Sequence, residues 1–145
     1  MGIKIEDILI GKGNKPFIIA EMSGNHNQSL DRALEIVEAA AKSGAHALKL
    51  QTYTADSMTL NIKDGKFFIG HESLWKGKSL YDLYKEASTP WEWHKPIIKR
   101  ANELGMICFS SPFDDNAVDF LEELNMPAYK IASFENNYLQ LIHKV

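Results

Sequence analysis

A single cysteine in 145 residues excludes an internal disulfide framework. Cys108 stands in the apolar run MICF and reads as a small buried hydrophobe kept reduced. Long hydrophobic stretches are missing as well. No segment approaches the roughly 20 apolar residues that cross a bilayer. The opening MGIKIEDILIGKG carries neither the apolar core nor the small-residue cleavage site of a secretory signal. A cytoplasmic protein with no membrane contact is therefore expected. A positive field is also lacking: 16 Lys and Arg against 19 Asp and Glu leave a net charge of -3. That balance argues against nucleic acid as a partner. Any anion bound must be held by a local arrangement. With 45% hydrophobic and 24% charged residues, the chain fits one ordinary globular domain.

Four short apolar runs read as strands: Phe17 to Met22, Ala47 to Tyr53, Met106 to Ser110 and Ala128 to Ser133. Helical patterns separate them. Leu30, Ala33, Leu34, Val37, Ala40 and Ala41 predict a helix over 29–43, with Ser29 as its cap and Gly44 as its stop. Thr89-Pro90-Trp91-Glu92 predicts the start of a second helix capped by Thr89, ending at Gly105 and kinked at Pro96. A third is expected over 115–125 behind Asp114, and a fourth begins near Tyr138. The long connection over 54–88 holds one short helical pattern, SLYDLYKEA, and reads as a cover over the site.

Alternating strands and helices imply an α/β fold with parallel strands. The glycine fingerprints of dinucleotide and phosphate-loop folds are absent. Polar residues gather instead at the C-terminal ends of the four strands, where (β/α)8 barrels build their sites. A full TIM barrel needs about 250 residues. Residues 1–145 are therefore read as its N-terminal half, about four βα units, and are expected to be inactive alone.

Side chains two apart on a strand share a face, which groups Lys49 with Gln51 and Glu21 with Ser23. Lys130 lies within the fourth run. Lysines amid aliphatic strand residues need negative partners. Two readings stay open here. Glu21 pairs internally with one lysine, or both lysines converge on an anionic ligand with hydroxyls from Ser110, Ser111 and Ser133. The residues alone specify a small dianion. The five histidines, His26, His46, His71, His94 and His143, show no helical metal-ligand spacing such as HExxH.

The segments AEMSGNHNQSL, ALKLQTYTAD, LYDLYKEASTPWEWH, FSSPFD and PAYKIASFE resemble the sialic acid synthase family along nearly the whole chain. LWKGKSLYDLY, TPWEWH and SFE are most similar to its pseudaminic acid synthase branch, with the neuraminate and legionaminate branches, or a non-catalytic half-barrel, as alternatives. The resemblance implies a TIM barrel followed by a small antifreeze-like domain, and a homodimer. It implies condensation of phosphoenolpyruvate with an open-chain amino sugar, 2,4-diacetamido-2,4,6-trideoxy-altrose in the pseudaminic branch. It also implies a divalent metal, manganese with magnesium as the alternative, whose ligands are expected beyond Val145. Carried over by motif, Lys49, Lys130, Ser111 and Ser133 correspond to phosphoenolpyruvate holders. Glu21 and Glu135 correspond to acidic residues near the reacting carbons, and Gln51 and Asn25 to sugar or site-shaping contacts.

Overall fold

The computed structural model describes residues 2–70 and 72–145, so His71 lies outside the described residues. The sheet at its centre is parallel, ordered β3 (Ile19–Glu21), β4 (Ala47–Thr52) and β5 (Ile107–Pro112). Register runs Glu21 beside Lys49, Lys49 beside Phe109 and Gln51 beside Ser111. The α/β class and the first three strands follow the sequence expectation.

One face of this sheet is covered by helices. Leu48, Leu50 and Cys108 pack against Ala33, Val37 and Ala40 of α1 (Leu30–Lys42) and Ile97 and Ala101 of α4 (His94–Glu103). In α1 the three-and-four spacing of apolar residues produces this stripe, and the Ser29 hydroxyl accepts from the Arg32 N–H to open the helix. The other face begins apolar, with Ala47, Ile107 and Phe109 clustered with Leu121 of α5 (Asp115–Glu123). Ile5, Ile8 and Phe17 pack on the same cluster.

Those isoleucines belong to a hairpin that the sequence reading missed, β1 (Ile3–Ile5) against β2 (Ile8–Ile10). Its signal was visible as two isoleucine-flanked triplets, IKI and ILI, around Glu6-Asp7, with Glu6 taking the left-handed φ of 47° that a tight two-residue turn needs.

The fourth strand is a correction. Residues 128–133 make a single parallel bridge, Ser110 with Tyr129, and one adjoining bond, Lys130 N–H to the Ser110 carbonyl at 3.1 Å. Beyond it the chain turns away, closing a bond from the Glu135 N–H to the Ala132 carbonyl at 3.1 Å. No second strand pairs with this segment among the described residues, so an apolar run alone does not extend the ladder.

The second helix is also built differently. A 3₁₀ turn, Trp91–Trp93, leads into α4, and Pro96 falls in the first turn of α4. A proline is tolerated there because first-turn N–H groups of an α-helix lack intrahelical partners. The expected kink is thus a change of helix type. Thr89 does not cap it. The long connection carries α2 (Ala55–Met58), capped reciprocally by Thr54 and Ser57, a 3₁₀ turn at Gly65–Phe67, and α3 (Leu80–Ala87), capped by Ser79. The last helix is α6 (Leu139–Lys144).

Candidate functional site

Past the apolar cluster, the same sheet face turns polar. Lys49 follows Ala47 on it, and Gln51 follows Lys49, because a strand alternates faces. Lys49 is only 8% exposed, and its ammonium donates to Glu21 Oε1 at 2.7 Å across the β3–β4 ladder. Glu21 itself is half exposed. The internal pair read from sequence is therefore present, and one of its members reaches solvent.

Beside it, the Ser23 hydroxyl donates to Gln51 Oε1 at 3.1 Å. Ser23 lies two residues past the end of β3, with a φ of 50°. Asn27 and Gln28 follow at 48° and 55°. Three non-glycine residues in the left-handed region within six positions are costly, and such strain concentrates at functional sites.

What overdetermines this loop is its seat on the end of α3. The Gln28 amide donates to the carbonyls of Glu86 and Ser88 at 2.7 and 2.8 Å, taking up carbonyls at the helix terminus. A Cβ at Gly24 would lie 3.1 Å from Ala87 Cβ and from its carbonyl oxygen, so glycine permits the approach. His26 is fully buried. Its Nδ1 accepts from the Gln28 N–H at 3.2 Å, and its Nε2 sits 3.2 Å from Thr89 Oγ1. That pattern assigns the proton to Nε2, and burial lowers the pKa, keeping the ring neutral.

Ser111 opposes Gln51 on β5, and its hydroxyl is buried without a hydrogen-bond partner. One residue after the Tyr129 bridge, Lys130 falls at the register position of Ser111, on the Lys49 side of the sheet. Gln51, Lys130 and Ser133 line a single cavity of about 370 Å³. Glu135 closes the turn beyond it, with Oε2 buried and unpartnered. Unsatisfied buried oxygens are uncommon, and two of them among the sequence-selected residues leave hydrogen-bonding capacity for a ligand.

Glu21, Lys49, Ser111 and Glu135 are not among the residues that line this cavity, and Ser110 and Asn25 are engaged elsewhere. Ser110 points to the opposite, helix-covered face, where its hydroxyl lies 2.7 Å from Thr52 Oγ1, which is 2.8 Å from His94 Nε2. Adjacent serines on a strand cannot share a face, which corrects the placement of Ser110. The Asn25 amide donates to the Met22 carbonyl at 2.9 Å and shapes the loop. His94 is buried, its Nδ1 facing the Pro90 carbonyl at 3.4 Å, and desolvation pushes its pKa down to about 4. Because that carbonyl can only accept, Nδ1 holds the proton and Nε2 accepts from Thr52. Of the other histidines, His46 accepts from the Ile18 N–H at 2.9 Å, and His143 is exposed. Burial pushes the Cys108 thiol up to about 12, so it stays protonated.

No group of three or more His, Cys, Asp or Glu side chains suited to a metal occurs among the described residues. With Glu21 engaged by Lys49, the donors among the described residues do not by themselves fit a metal centre. Sequence reasoning missed the apolar wall of the cavity, which includes Met58, Trp75, Leu83 and Tyr84 from the long connection together with Phe113 and Phe134. The aromatic content of that connection was the available signal.

The chain is 51% identical over 133 residues to pseudaminic acid synthase of Campylobacter jejuni, covering 90% of this chain and 38% of that protein. It is 51% identical over 129 residues to pseudaminic acid synthase of Helicobacter pylori, covering 89% and 38%. Among solved structures, the N-acetylneuraminic acid (sialic acid) synthetase of Leptospira borgpetersenii in complex with citrate superposes with a TM-score of 0.82 at 26% identity, over 99% of this chain and 45% of that one. The chain thus spans 38% of the length of the two synthases and 45% of the solved structure. Residues 36–145, which carry β4, β5 and all of the cavity lining, match the model of the NeuB family, and the chain belongs to that family.

Proposed function

We propose that this chain contributes the phosphoenolpyruvate side of a pseudaminic acid synthase site, in the first half of a (β/α)8 barrel. The acceptor is the open-chain aldehyde of 2,4-diacetamido-2,4,6-trideoxy-altrose. The observation that carries the reading is a buried ammonium, Lys49, on the sheet face that also presents Gln51, Ser111 and the register position of Lys130. Phosphoenolpyruvate offers a carboxylate and a phosphate, and ammonium and hydroxyl donors suit both. The similarity to two pseudaminic acid synthases supports this acceptor over its sisters, since the sialic acid synthetase shares roughly half that identity.

In the proposed chemistry the C2–C3 π electrons of phosphoenolpyruvate form a bond from C3 to the aldehyde carbon, whose oxygen takes up a proton. Cationic character develops at C2. Water adds there and loses a proton, and the C2–O bond to phosphate then breaks while the new C2 hydroxyl gives its proton to the departing phosphate, leaving a 2-keto acid. Lys49, Lys130, Ser111 and Ser133 hold the anion and fix the face that C3 presents. Glu21, half exposed and paired through one oxygen, stands where a carboxylate can face the developing positive charge. Glu135, with one unpartnered oxygen, is suited to accept the proton of the added water. The divalent metal implied by the resemblance finds no donor set among the described residues.

Phosphate release from phosphoenolpyruvate in the intact protein tests this, with the trideoxy diacetamido sugar, N-acetylmannosamine and the legionaminate precursor assayed side by side. Turnover highest with the first sugar is expected. Preference for either of the others would contradict the assignment.

A further inference from the structure

Phosphoenolpyruvate held as proposed above would fill only part of the roughly 370 Å³ cavity beside Lys130. Its carbon skeleton has three atoms and two anionic substituents, so it offers little surface for an apolar wall to cover. Yet most of the remaining lining is aliphatic or aromatic: Met58, Leu83 and Tyr84 from α2 and α3, Phe113 just past β5, and the rings of Trp75 and Phe134. The wall is held in place by edge-to-face packing. Tyr53 meets Tyr84 at a centroid distance of 6.0 Å and Phe113 at 5.3 Å, with interplanar angles of 86° and 74°. Trp75 is 48% exposed and Phe134 87% exposed. They arrive from two separate segments, one in the long connection and one in the turn after Ser133. Two large rings left in solvent on the lining of one cavity present apolar surface for a ligand to cover.

Sugar hydroxyls placed against such a wall lose water and gain no partner, whereas methyl groups gain by leaving water. An acceptor rich in methyl groups therefore fits this wall, and one rich in hydroxyls does not. We infer that the apolar wall is the subsite for the N-acyl and deoxy methyl groups of the amino sugar, with Trp75 and Phe134 as its specificity-determining residues. This rests on the acceptor being an amino sugar, as proposed above. The wall comes largely from the 54–88 connection. That connection accordingly selects the sugar, and the sheet selects the anion.

The test compares Trp75→Ala, Phe134→Ala and Trp75→Phe in the intact protein. Both rings are far from fully buried, so these variants are expected to fold. For each, kcat/KM is measured with the trideoxy diacetamido sugar and with N-acetylmannosamine, which has a hydroxyl in place of the second acetamido group and a hydroxymethyl in place of the deoxy methyl. One methyl contact is worth about 10- to 200-fold in discrimination. Each alanine variant should lower the ratio of the two kcat/KM values at least tenfold, with KM for phosphoenolpyruvate changed less than twofold, and Trp75→Phe should keep most of the ratio. An unchanged ratio, or a parallel loss with both sugars and phosphoenolpyruvate, overturns the inference. Binding separates this failure from that of the proposed function. Calorimetry in which the protein binds phosphoenolpyruvate and the trideoxy sugar, and the alanine variants bind that sugar equally well, overturns the subsite alone, whereas no binding of phosphoenolpyruvate overturns the anion site on which both depend.

Discussion

Lys49 and Glu21 form an unequal pair: the ammonium is buried and the carboxylate half exposed. Removing one partner of a buried pair costs more than replacing a buried charge by an apolar group of similar size. Glu21→Ala strands the ammonium and should destabilise the fold by about 3 kcal/mol. Lys49→Met leaves behind a carboxylate that water can reach, so the urea midpoint should change little or rise. Chemical denaturation of both variants checks this, and equal losses would mean that the pair is only structural. The lysine, Gln51 and Ser111 were legible because alternation along a strand is a hard geometric rule. The two residues misplaced from sequence, Ser110 and Asn25, fail for nameable reasons. Ser110 is one residue out of phase with Ser111, and the Asn25 amide is used up by the Met22 carbonyl 2.9 Å away.

Between elements, two clasps hold the site's surroundings. The strained 23–28 loop is fastened to the end of α3 by the paired donations of Gln28, and Gly24 lets the two backbones meet. Gly24→Val would force atoms into the Ala87 backbone. It should lower the thermal midpoint by several degrees and loosen α3, seen as faster amide exchange over 80–88. Unchanged exchange there would show the contact to be incidental. On the covered face, Ser110, Thr52 and His94 tie the ends of β4 and β5 to α4. Thr52→Val breaks both bonds and leaves buried polar atoms unpaired, a loss of about 2 kcal/mol by urea unfolding. The helices and the caps at Ser29 and Asp114 were readable because capping chemistry is local. Neither clasp was readable, since the partners lie 42 to 60 residues apart and no local pattern announces them.

For the whole molecule, the sheet and its two apolar clusters followed from pattern, while the missing fourth strand shows the limit of that pattern. A ladder needs a neighbour as well as an apolar run, and residues 128–133 pair with β5 at one position. The fold's response to acid follows from its buried imidazoles. Burial holds His94 down to about 4 from an ordinary 6.5 and lowers His26 too. The unfolded chain thus binds more protons below pH 6.5, and stability is full above that value and drains away as the pH falls toward 4. His94 alone accounts for roughly 3 kcal/mol across this window. Urea unfolding at pH 7, 5.5 and 4.5 should show a steady decline, and a flat profile would mean that these rings are solvated.

The central claim is that Lys49 and Lys130 grip one doubly charged substrate from the same side of the sheet. Calorimetric titration of phosphoenolpyruvate into the intact protein and its Lys49→Met and Lys130→Met variants tests it most directly. A hydrogen bond to a charged group is worth about 1.5–3 kcal/mol, so each substitution should weaken binding by roughly 10- to 150-fold with the fold intact. Affinity unchanged in either variant would contradict the account.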